Sequence, residues 1–213
     1  MGQKVNPISL RMGISTFWRT RWFADGRKYR LFMIDDIKIR QLLFKKLRLA
    51  GVSQIEIERY SGKLKIIISV AKPGILIGRG GTGLSELKKF LLQQLDIKDE
   101  NSLEIVPMDV KAPDLSAYLV AQNVADQLVK RLPAQRVMNQ AVERVMRAGA
   151  KGVKVLLAGR IGGAEIARRE KKTSGMMPLQ TLRFDIDFAS FPALTKSGYV
   201  GVKVWINRGE VKI

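Results

Sequence analysis

The chain has 213 residues, of which 46% are hydrophobic, enough for one large domain or two small ones with a real core. Its 38 basic and 19 acidic residues give a net charge of +19, which favours a polyanion such as nucleic acid as the partner. Cysteine and histidine are absent, which excludes disulfides, thiol nucleophiles, imidazole catalysis and the commonest metal ligands. We therefore expect a protein that is not an enzyme and that binds no metal and no cofactor.

The sequence carries no signal for a membrane. It has no apolar run of 18 residues and no recognisable signal peptide. Asn6 stands where a myristoylation motif needs Ser or Thr. We therefore expect a soluble, cytoplasmic protein that does not bind a membrane.

Residues 1–34 are expected to form a basic and irregular N-terminal extension. Aromatic residues alternate with arginines between Phe17 and Phe23. Such aromatics either stack on RNA bases or anchor a tail on a core, and both interpretations fit Trp22 and Phe23. Basic side chains are the better candidates for phosphate, and those of the extension are Lys4, Arg11, Arg19, Arg21, Arg27 and Lys28.

Residues 35–110 are expected to form a small α+β domain. The spacing of Ile39, Leu43 and Leu47 predicts a helix over 35–50, with Asp35 or Asp36 as its N-cap. Alternating apolar residues predict strands, of which the first two are joined by a tight turn at Ser61-Gly62. The predicted strands are Val52–Tyr60, Lys63–Ala71 and Leu103–Val110.

A glycine-rich stretch, Gly78-Arg79-Gly80-Gly81, precedes an amphipathic helix in this domain. Glycine lets backbone N–H groups approach a phosphate, and a helix start adds unpaired donors. A dinucleotide site needs a parallel strand immediately before the glycines, and a P-loop needs Lys where Leu84 stands. The loop of a KH domain, which grips single-stranded nucleic acid, fits better, and a glycine turn without a ligand is the remaining alternative.

Residues 111–213 are expected to form a second domain, in which two helices pack on an antiparallel sheet. The first helix follows a cap at Asp114, and the second runs from Pro133 to a stop at Gly149. The predicted strands are Val153–Arg160, Ala164–Arg169, Leu179–Ala189 and Tyr199–Asn207. Asp185 and Asp187 share one strand face, where an ordinary polar face is a better interpretation than a two-carboxylate metal site.

Basic residues of this second domain are candidates for RNA binding. Some lie on the outward face of the second helix, and others form a run with Arg160 opposite it across a hairpin. A solvated hairpin tip is the alternative for the run, but like charges that face each other across strands favour a bound anion. The candidates are Arg136, Arg144, Arg147, Arg160, Arg168, Arg169, Lys171 and Lys172.

Several stretches resemble the family of the third protein of the bacterial small ribosomal subunit. They are Gly2-Gln3-Lys4-Val5-Asn6-Pro7, Gly78-Arg79-Gly80-Gly81, Gly159-Arg160-Ile161-Gly162-Gly163-Ala164-Glu165-Ile166-Ala167-Arg168, Pro178-Leu179-Gln180-Thr181-Leu182-Arg183 and Gly201-Val202-Lys203-Val204-Trp205-Ile206. The similarity covers nearly the whole chain. It implies a type II KH domain followed by a family-specific αβ domain.

The resemblance also implies a function. The chain would be a structural constituent of the small subunit that binds its ribosomal RNA in the head, through the KH loop and the N-terminal bases. It would line the channel through which messenger RNA enters, through the C-terminal bases, beside neighbouring proteins of the subunit. The location would be the cytoplasm, with an organellar ribosome as an alternative. A free-standing KH regulator or RNA chaperone is the competing function.

In this family, a basic cluster near the start of the second C-terminal helix is associated with unwinding of structured messenger RNA. The matching positions here are Gln135, Arg136 and Asn139, so only Arg136 keeps the charge. Arg144, Arg147 and the bases of the hairpin could compensate.

Overall fold

The computed structural model describes residues 4–60, 62–95 and 102–211, which form two compact units. Trp18–Lys111 form the central unit, and the residues before Trp18 join those from Ala112 onward in the terminal unit. None of the described helices is long and apolar enough to cross a membrane. In chain order the elements are α1 Pro7–Leu10, β1 Thr20–Arg21, α2 Gly26–Lys46, β2 Val52–Tyr60, β3 Lys63–Val70, α3 Pro73–Ile77, α4 Thr82–Gln94, β4 Leu103–Asp109, α5 Ala117–Val129, α6 Ala134–Arg147, β5 Gly152–Gly159, β6 Arg168–Gly175, β7 Phe184–Thr195 and β8 Gly198–Glu210.

The central unit contains a four-stranded sheet in the order β1-β2-β3-β4. β2 and β3 are antiparallel, whereas β1 pairs with β2 and β4 pairs with β3 in parallel. Every second residue of β3 from Leu64 onward is buried, as the alternation predicts. Helices α2 and α4 add Ile39, Leu43, Leu87 and Leu91 to the same apolar core. The α+β class predicted from the sequence is confirmed.

Helix α2 begins at Gly26, nine residues before the predicted start. Asp36 is therefore not an N-cap but a buried residue inside the helix, 5% exposed. Its carboxylate accepts hydrogen bonds from Trp22 Nε1 at 2.7 Å and from the guanidinium of Arg59 at 2.6 Å. The predicted cap is wrong, because the acidic side chain neutralises a half-buried cation instead of binding free N–H groups. Trp22 packs on α2, against the rings of Tyr29 and Phe32, while Phe23 is exposed.

The terminal unit contains an antiparallel sheet in the order β6-β5-β8-β7. Helices α5 and α6 share one core with the sheet, to which β5 contributes Val153, Val155 and Leu157. The strands β5 and β8 alternate between this buried face and a more open one. Two helices on an antiparallel sheet are thus present, as predicted.

Two strands of this sheet differ from their predicted ranges. β6 begins only at Arg168, so the predicted strand Ala164–Arg169 is wrong over most of its length. β7 begins at Phe184 rather than at Leu179, because the carbonyls of Leu179 and Thr181 accept hydrogen bonds from Arg11 instead of a neighbouring strand. The sequence shows the apolar alternation but not this competing donor.

Arg11 holds the N-terminal segment in the terminal unit. Its side chain is fully buried, with Nε 2.7 Å from the carbonyl oxygen of Phe184 and Nη1 3.1 Å from that of Pro7. Burial lowers the pKa of Arg11, while the nearby carboxylate of Asp185 raises it. Residues 1–34 are therefore not one independent extension. Arg11 is also removed from the predicted RNA contacts, because its guanidinium is inaccessible.

Candidate nucleic-acid interface

The glycine loop lies between α3 and α4, and Arg79 and Gly80 at its tip are exposed. Gly80 has φ of 62°, a conformation that favours glycine, and nothing lies within 4 Å of the position where its Cβ would stand. Gly83 is needed for a different reason, since a Cβ there would lie 2.6 Å from the carbonyl oxygen of Leu76. Close helix contact thus shapes the loop, while its tip stays open to a ligand.

The element before this loop excludes two of the alternatives left by the sequence, the dinucleotide site and the P-loop. α3 is a short helix, and the preceding strand β3 ends at Val70, three residues before it. Dinucleotide sites and P-loops place their glycines directly after a strand, so neither fits. Two short helices around an exposed Gly-x-x-Gly turn match the arrangement of a KH domain, in which the loop contacts a nucleic-acid backbone.

The basic run of the terminal unit is divided between the two faces of the sheet. Across β5, Lys172 pairs with Val155 and Glu170 with Leu157, both of which are buried under the helices. Lys171 pairs with Leu156 on the opposite face. Because directly opposed residues share a face, alternate bases of the run point to different sides. The run is not one continuous charged tip.

The open-face cluster consists of Lys154, Arg169, Lys171 and Lys203 beside Trp205. Lys203 and Lys171 flank Leu156 from the two neighbouring strands, and Lys154 lies opposite Trp205. The ammonium of Lys154 is 5.1 Å from the indole centroid, and the ring of Phe188 is 5.1 Å from that of Trp205. Cations around an aromatic pair form a surface that suits phosphates and bases together.

The positive charges of the open-face cluster repel one another, which favours the binding of an anion. Burial lowers the pKa of Lys154, and the nearby ammonium groups of Lys4 and Lys171 lower it further. Like charges held this close repel each other unless a counter-ion is present. Lys4, which the sequence predicts as an RNA-binding residue, thus adds positive charge near Lys154 from the N-terminal segment.

On the helix side of the sheet, α6 and β6 enclose the helix-side cleft, with a volume of about 410 Å³. Gln135 and Asn139 line it from α6, and Lys172, which faces the helices, lines it from the edge strand β6. Lys171 also borders the cleft, although its position in the strand belongs to the opposite face. Glu170 also lines it but is engaged by Arg168 at 2.8 Å. Lysines of the adjoining strand thus lie beside the uncharged Gln135 and Asn139.

The remaining arginines and lysines predicted to bind RNA are accessible, but they differ in which carboxylate or carbonyl groups they contact. Arg136 and Arg144 are exposed on α6, and Arg147 is exposed beside Glu143 at 3.7 Å. Arg160 donates to the carbonyl of Ala164 and directly follows Gly159, which pairs with Arg168. In the central unit Arg19, Arg27 and Lys28 are exposed, whereas Arg21 contacts the carboxylates of Glu56 and Glu58 at 3.6 and 3.3 Å.

The acidic pair of β7 has a structural role. Asp187 accepts a hydrogen bond from the backbone N–H of Ala117 at 2.9 Å and one from Arg208 at 2.8 Å, while Asp185 lies 3.5 Å from Arg208. Within the described residues no group of three or more Asp or Glu side chains is placed to hold a metal ion. Asp187 thus caps the first backbone N–H of α5, and both carboxylates neutralise Arg208.

Comparison with known proteins identifies the family. A model described as "KH domain" matches residues 38–115, and one described as "Ribosomal protein S3, C-terminal domain" matches residues 124–206. The proteins named small ribosomal subunit protein uS3 of Pelotomaculum thermopropionicum and Desulforamulus reducens are 49% and 48% identical to this chain. The one of Caldanaerobacter subterraneus subsp. tengcongensis is 46% identical. These alignments cover 99% of this chain and 90–94% of the relatives.

The chain belongs to the uS3 family of small ribosomal subunit proteins. The family resemblance and the type II KH fold predicted from the sequence are confirmed. These relatives are structural proteins of the ribosome and not enzymes, which agrees with the expectation from composition. Because the alignments run over almost the full length of both partners, a free-standing KH regulator is not favoured.

Sequence reasoning missed four residues of the open-face cluster, namely Lys154, Lys203, Phe188 and Trp205. The signal was present for Lys154, Lys203 and Trp205, because each occupies an outward position in a strand whose inward positions are apolar. What was lacking was the order of the strands. Only the pairing of β5 with both β6 and β8 brings these side chains onto one surface.

Proposed function

We propose that this chain binds ribosomal RNA in the head of the small subunit and lines the channel through which messenger RNA enters. It does so in the cytoplasm, or in an organelle, beside neighbouring proteins of the subunit. The observation that carries RNA binding is the open-face cluster, where cations surround an aromatic pair on the open side of the sheet.

The proposal assigns different RNA to different surfaces. The glycine loop, residues 78–81, and the exposed N-terminal bases contact ribosomal RNA; these bases are Lys4, Arg19, Arg21, Arg27 and Lys28. The C-terminal bases and the open-face cluster contact messenger RNA; the C-terminal bases are Arg136, Arg144, Arg147, Arg168, Arg169, Lys171 and Lys172. Arg160 is left out of this surface, because its guanidinium is held by the carbonyl oxygens of Ala164 and Ser197.

The helix-side cleft supports a further part of this proposal. Lys171 and Lys172 lie beside the uncharged Gln135 and Asn139, so the cleft presents cations next to Arg136. We propose that this arrangement assists the unwinding of structured messenger RNA. Replacing Lys172 with Gln should slow translation through a stable hairpin about as much as Arg136→Gln does, and should leave an unstructured messenger unaffected.

RNA crosslinking in intact small subunits tests the assignment. Ultraviolet crosslinks mapped by mass spectrometry should fall on peptides of β5, β6 and β8 and on the glycine loop. Messenger RNA carrying a photoreactive base should crosslink to the terminal unit rather than to the loop. Crosslinks of messenger RNA to residues 78–81 alone would reverse the assignment.

Binding by the isolated protein tests the open-face cluster directly. Replacing Lys154, Lys171 and Lys203 with Gln should reduce the magnitude of the log–log salt slope by about 2 to 3, since each phosphate contact contributes roughly 0.7–0.9. The control replaces Lys38, Lys45 and Lys63, which are exposed in the central unit and change the net charge equally. Equal slopes for the two triple variants would show that only the total charge matters.

A further inference from the structure

A second pocket, with a volume of about 340 Å³, lies in the terminal unit, apart from the open-face cluster and the helix-side cleft. It forms where α5 ends and α6 begins, next to the glycine turn after β5 and the turn between β7 and β8. Its volume falls in the range of pockets that hold a small molecule or a few side chains. None of the surfaces assigned above uses it, although Arg160 is one of its lining residues.

The pocket is cationic. Arg131, Arg160 and Lys196 line it, and none of its lining residues, all of which the structure describes, carries a carboxylate. Arg160 is fixed in place, because its guanidinium donates to the carbonyl oxygens of Ala164 at 2.8 Å and Ser197 at 3.4 Å. A fixed guanidinium with charge still unpaired binds a carboxylate or phosphate with little loss of side-chain freedom.

Arg131 has an unusual backbone. Its φ is 60°, and among the described residues it is the one non-glycine with a positive φ. This conformation costs an ordinary side chain about 1–2 kcal/mol, and glycine would adopt it freely. An arginine here therefore does not serve the local fold, which indicates that its side chain has another use.

The rest of the pocket is aliphatic rather than aromatic. Leu128, Leu132 and Val200 line it, Leu132 is 41% exposed, and none of the lining residues is aromatic. RNA bases are usually held by stacking on aromatic rings, which this pocket lacks. An aliphatic side chain next to a carboxylate, by contrast, satisfies both the apolar surface and the three cations.

We propose that this pocket binds an acidic segment of another protein, in which a carboxylate lies within a few residues of a Leu, Ile or Val side chain. The aliphatic side chain packs against Leu128, Leu132 and Val200. The carboxylate pairs with Arg131 and Arg160, and Lys196 lies within reach of it.

Carbodiimide crosslinking of intact small subunits that contain this chain tests the proposal, because it joins a lysine amine to a carboxylate in direct contact. We expect an amide between Lys196 and an Asp or Glu of another protein, next to an aliphatic residue, identified by mass spectrometry. Lys196→Arg keeps the charge but cannot form the amide, so the product should disappear. Lys151, which is exposed elsewhere in the same unit, serves as the internal standard.

A matched pair of variants separates the pocket from the fold. Arg131→Gly removes the charge and suits the positive φ, so the protein should fold at least as well while the Lys196 product falls about threefold or more, as expected for loss of a charge-assisted contact. Arg131→Lys should retain the product. An amide formed only within this chain, no Lys196 product beside normal Lys151 products, or ultraviolet crosslinks of RNA to Arg131 or Lys196 would each overturn the proposal.

Discussion

The central and terminal units present two different surfaces for an anion. In the central unit the candidate site is a glycine loop in a stretch, residues 51–110, that has 8 basic and 8 acidic residues. In the terminal unit the open-face cluster gathers Lys154, Lys171 and Lys203 on one side of a sheet. The loop offers backbone donors in a shape set by glycine, and the sheet offers charged side chains at positions set by strand register.

This difference has a consequence for how each surface responds to salt. Backbone N–H groups bind a phosphate through geometry, so their contribution depends weakly on ionic strength. Lysines release condensed counter-ions from the nucleic acid, so their contribution falls steeply as salt rises. We therefore expect rising salt to weaken RNA binding at the sheet surface first, while RNA binding at the loop persists.

The largest effect expected from a single substitution is at Arg11. Replacing it with Met removes a buried guanidinium and leaves the carbonyls of Thr181, Leu179 and Phe184 without this donor, and it should lower the free energy of unfolding of the terminal unit by about 4 kcal/mol. Hydrogen exchange should accelerate in β5, β7 and β8. The central unit should be unchanged.

Arg136→Met is the matched control, because it removes an exposed arginine of the same unit and should change stability by less than about 0.5 kcal/mol. Faster exchange in β2 and β3 of the Arg11 variant would show that the division into two units does not describe their stability.

The corresponding residue of the central unit is Asp36. Asp36→Ala leaves the half-buried guanidinium of Arg59 and the indole N–H of Trp22 without their acceptor. It should destabilise the central unit by about 3 kcal/mol, and Asp35→Ala, one position away, should cost less than about 1 kcal/mol. Thermal unfolding followed by Trp fluorescence measures both. Equal effects of the two substitutions would contradict the buried network.

Arg11 and Asp36 show which features could not be predicted from the sequence. The α+β class, the hairpin, the glycine loop and the two-helix domain follow from local periodicity, and each was predicted. Asp36 and Arg11 were misassigned because a polar residue in a sequence shows its chemistry but not its partner. An acidic residue near a helix start predicts a cap, and a basic residue in a basic tail predicts a phosphate contact. Only tertiary contacts reveal that both are buried.

For the candidate site, as for the fold, the sequence showed some of the residues involved but not how they are arranged in space. The bases of β6 were identified from composition, yet their division between two faces needed the observed start of the strand at Arg168. A shift of one residue exchanges every side chain between the faces. Lys154 and Lys203 were missed because isolated lysines in apolar strands are ordinary until neighbouring strands place them together.

Substitutions at two glycines of the central unit should destabilise it less than the changes at Arg11 and Asp36, and by different amounts. Gly83→Ala places a Cβ 2.6 Å from the carbonyl oxygen of Leu76, so α3 and α4 must separate, at a cost of about 2 kcal/mol. Gly80→Ala meets no atom and carries only the strain of its positive φ, about 1 kcal/mol. Denaturant unfolding ranks the two variants.

RNA binding should distinguish the same two glycines at the loop. Gly80→Asp adds a carboxylate at the exposed tip and should weaken binding of short single-stranded RNA at high salt, where the sheet surface contributes least. Neutral Gly80→Ala is the control for strain alone. An Asp variant that binds as well as the Ala variant would remove the loop from the RNA contacts.

The smallest expected effect is a pH dependence at Lys154. Its pKa is lowered from the ordinary value by burial and by Lys4 and Lys171, and a bound phosphate would raise it again. Binding therefore favours the protonated form, so affinity should be full at neutral pH and should fall as the pH rises above the lowered pKa of the free protein. The same shift makes protonation disfavour folding, so stability rises with pH in this alkaline window, and Lys154→Gln should slightly stabilise the terminal unit.

Single-stranded DNA, which survives alkali, is the probe, with affinity measured by fluorescence anisotropy from about pH 7 to about pH 9.5. Lys154→Gln should flatten the decline, whereas Lys45→Gln, exposed in the central unit, should not. An unchanged decline in the Lys154 variant would mean that the open-face cluster does not contact the nucleic acid, and the two units would then not differ in the way their geometry predicts.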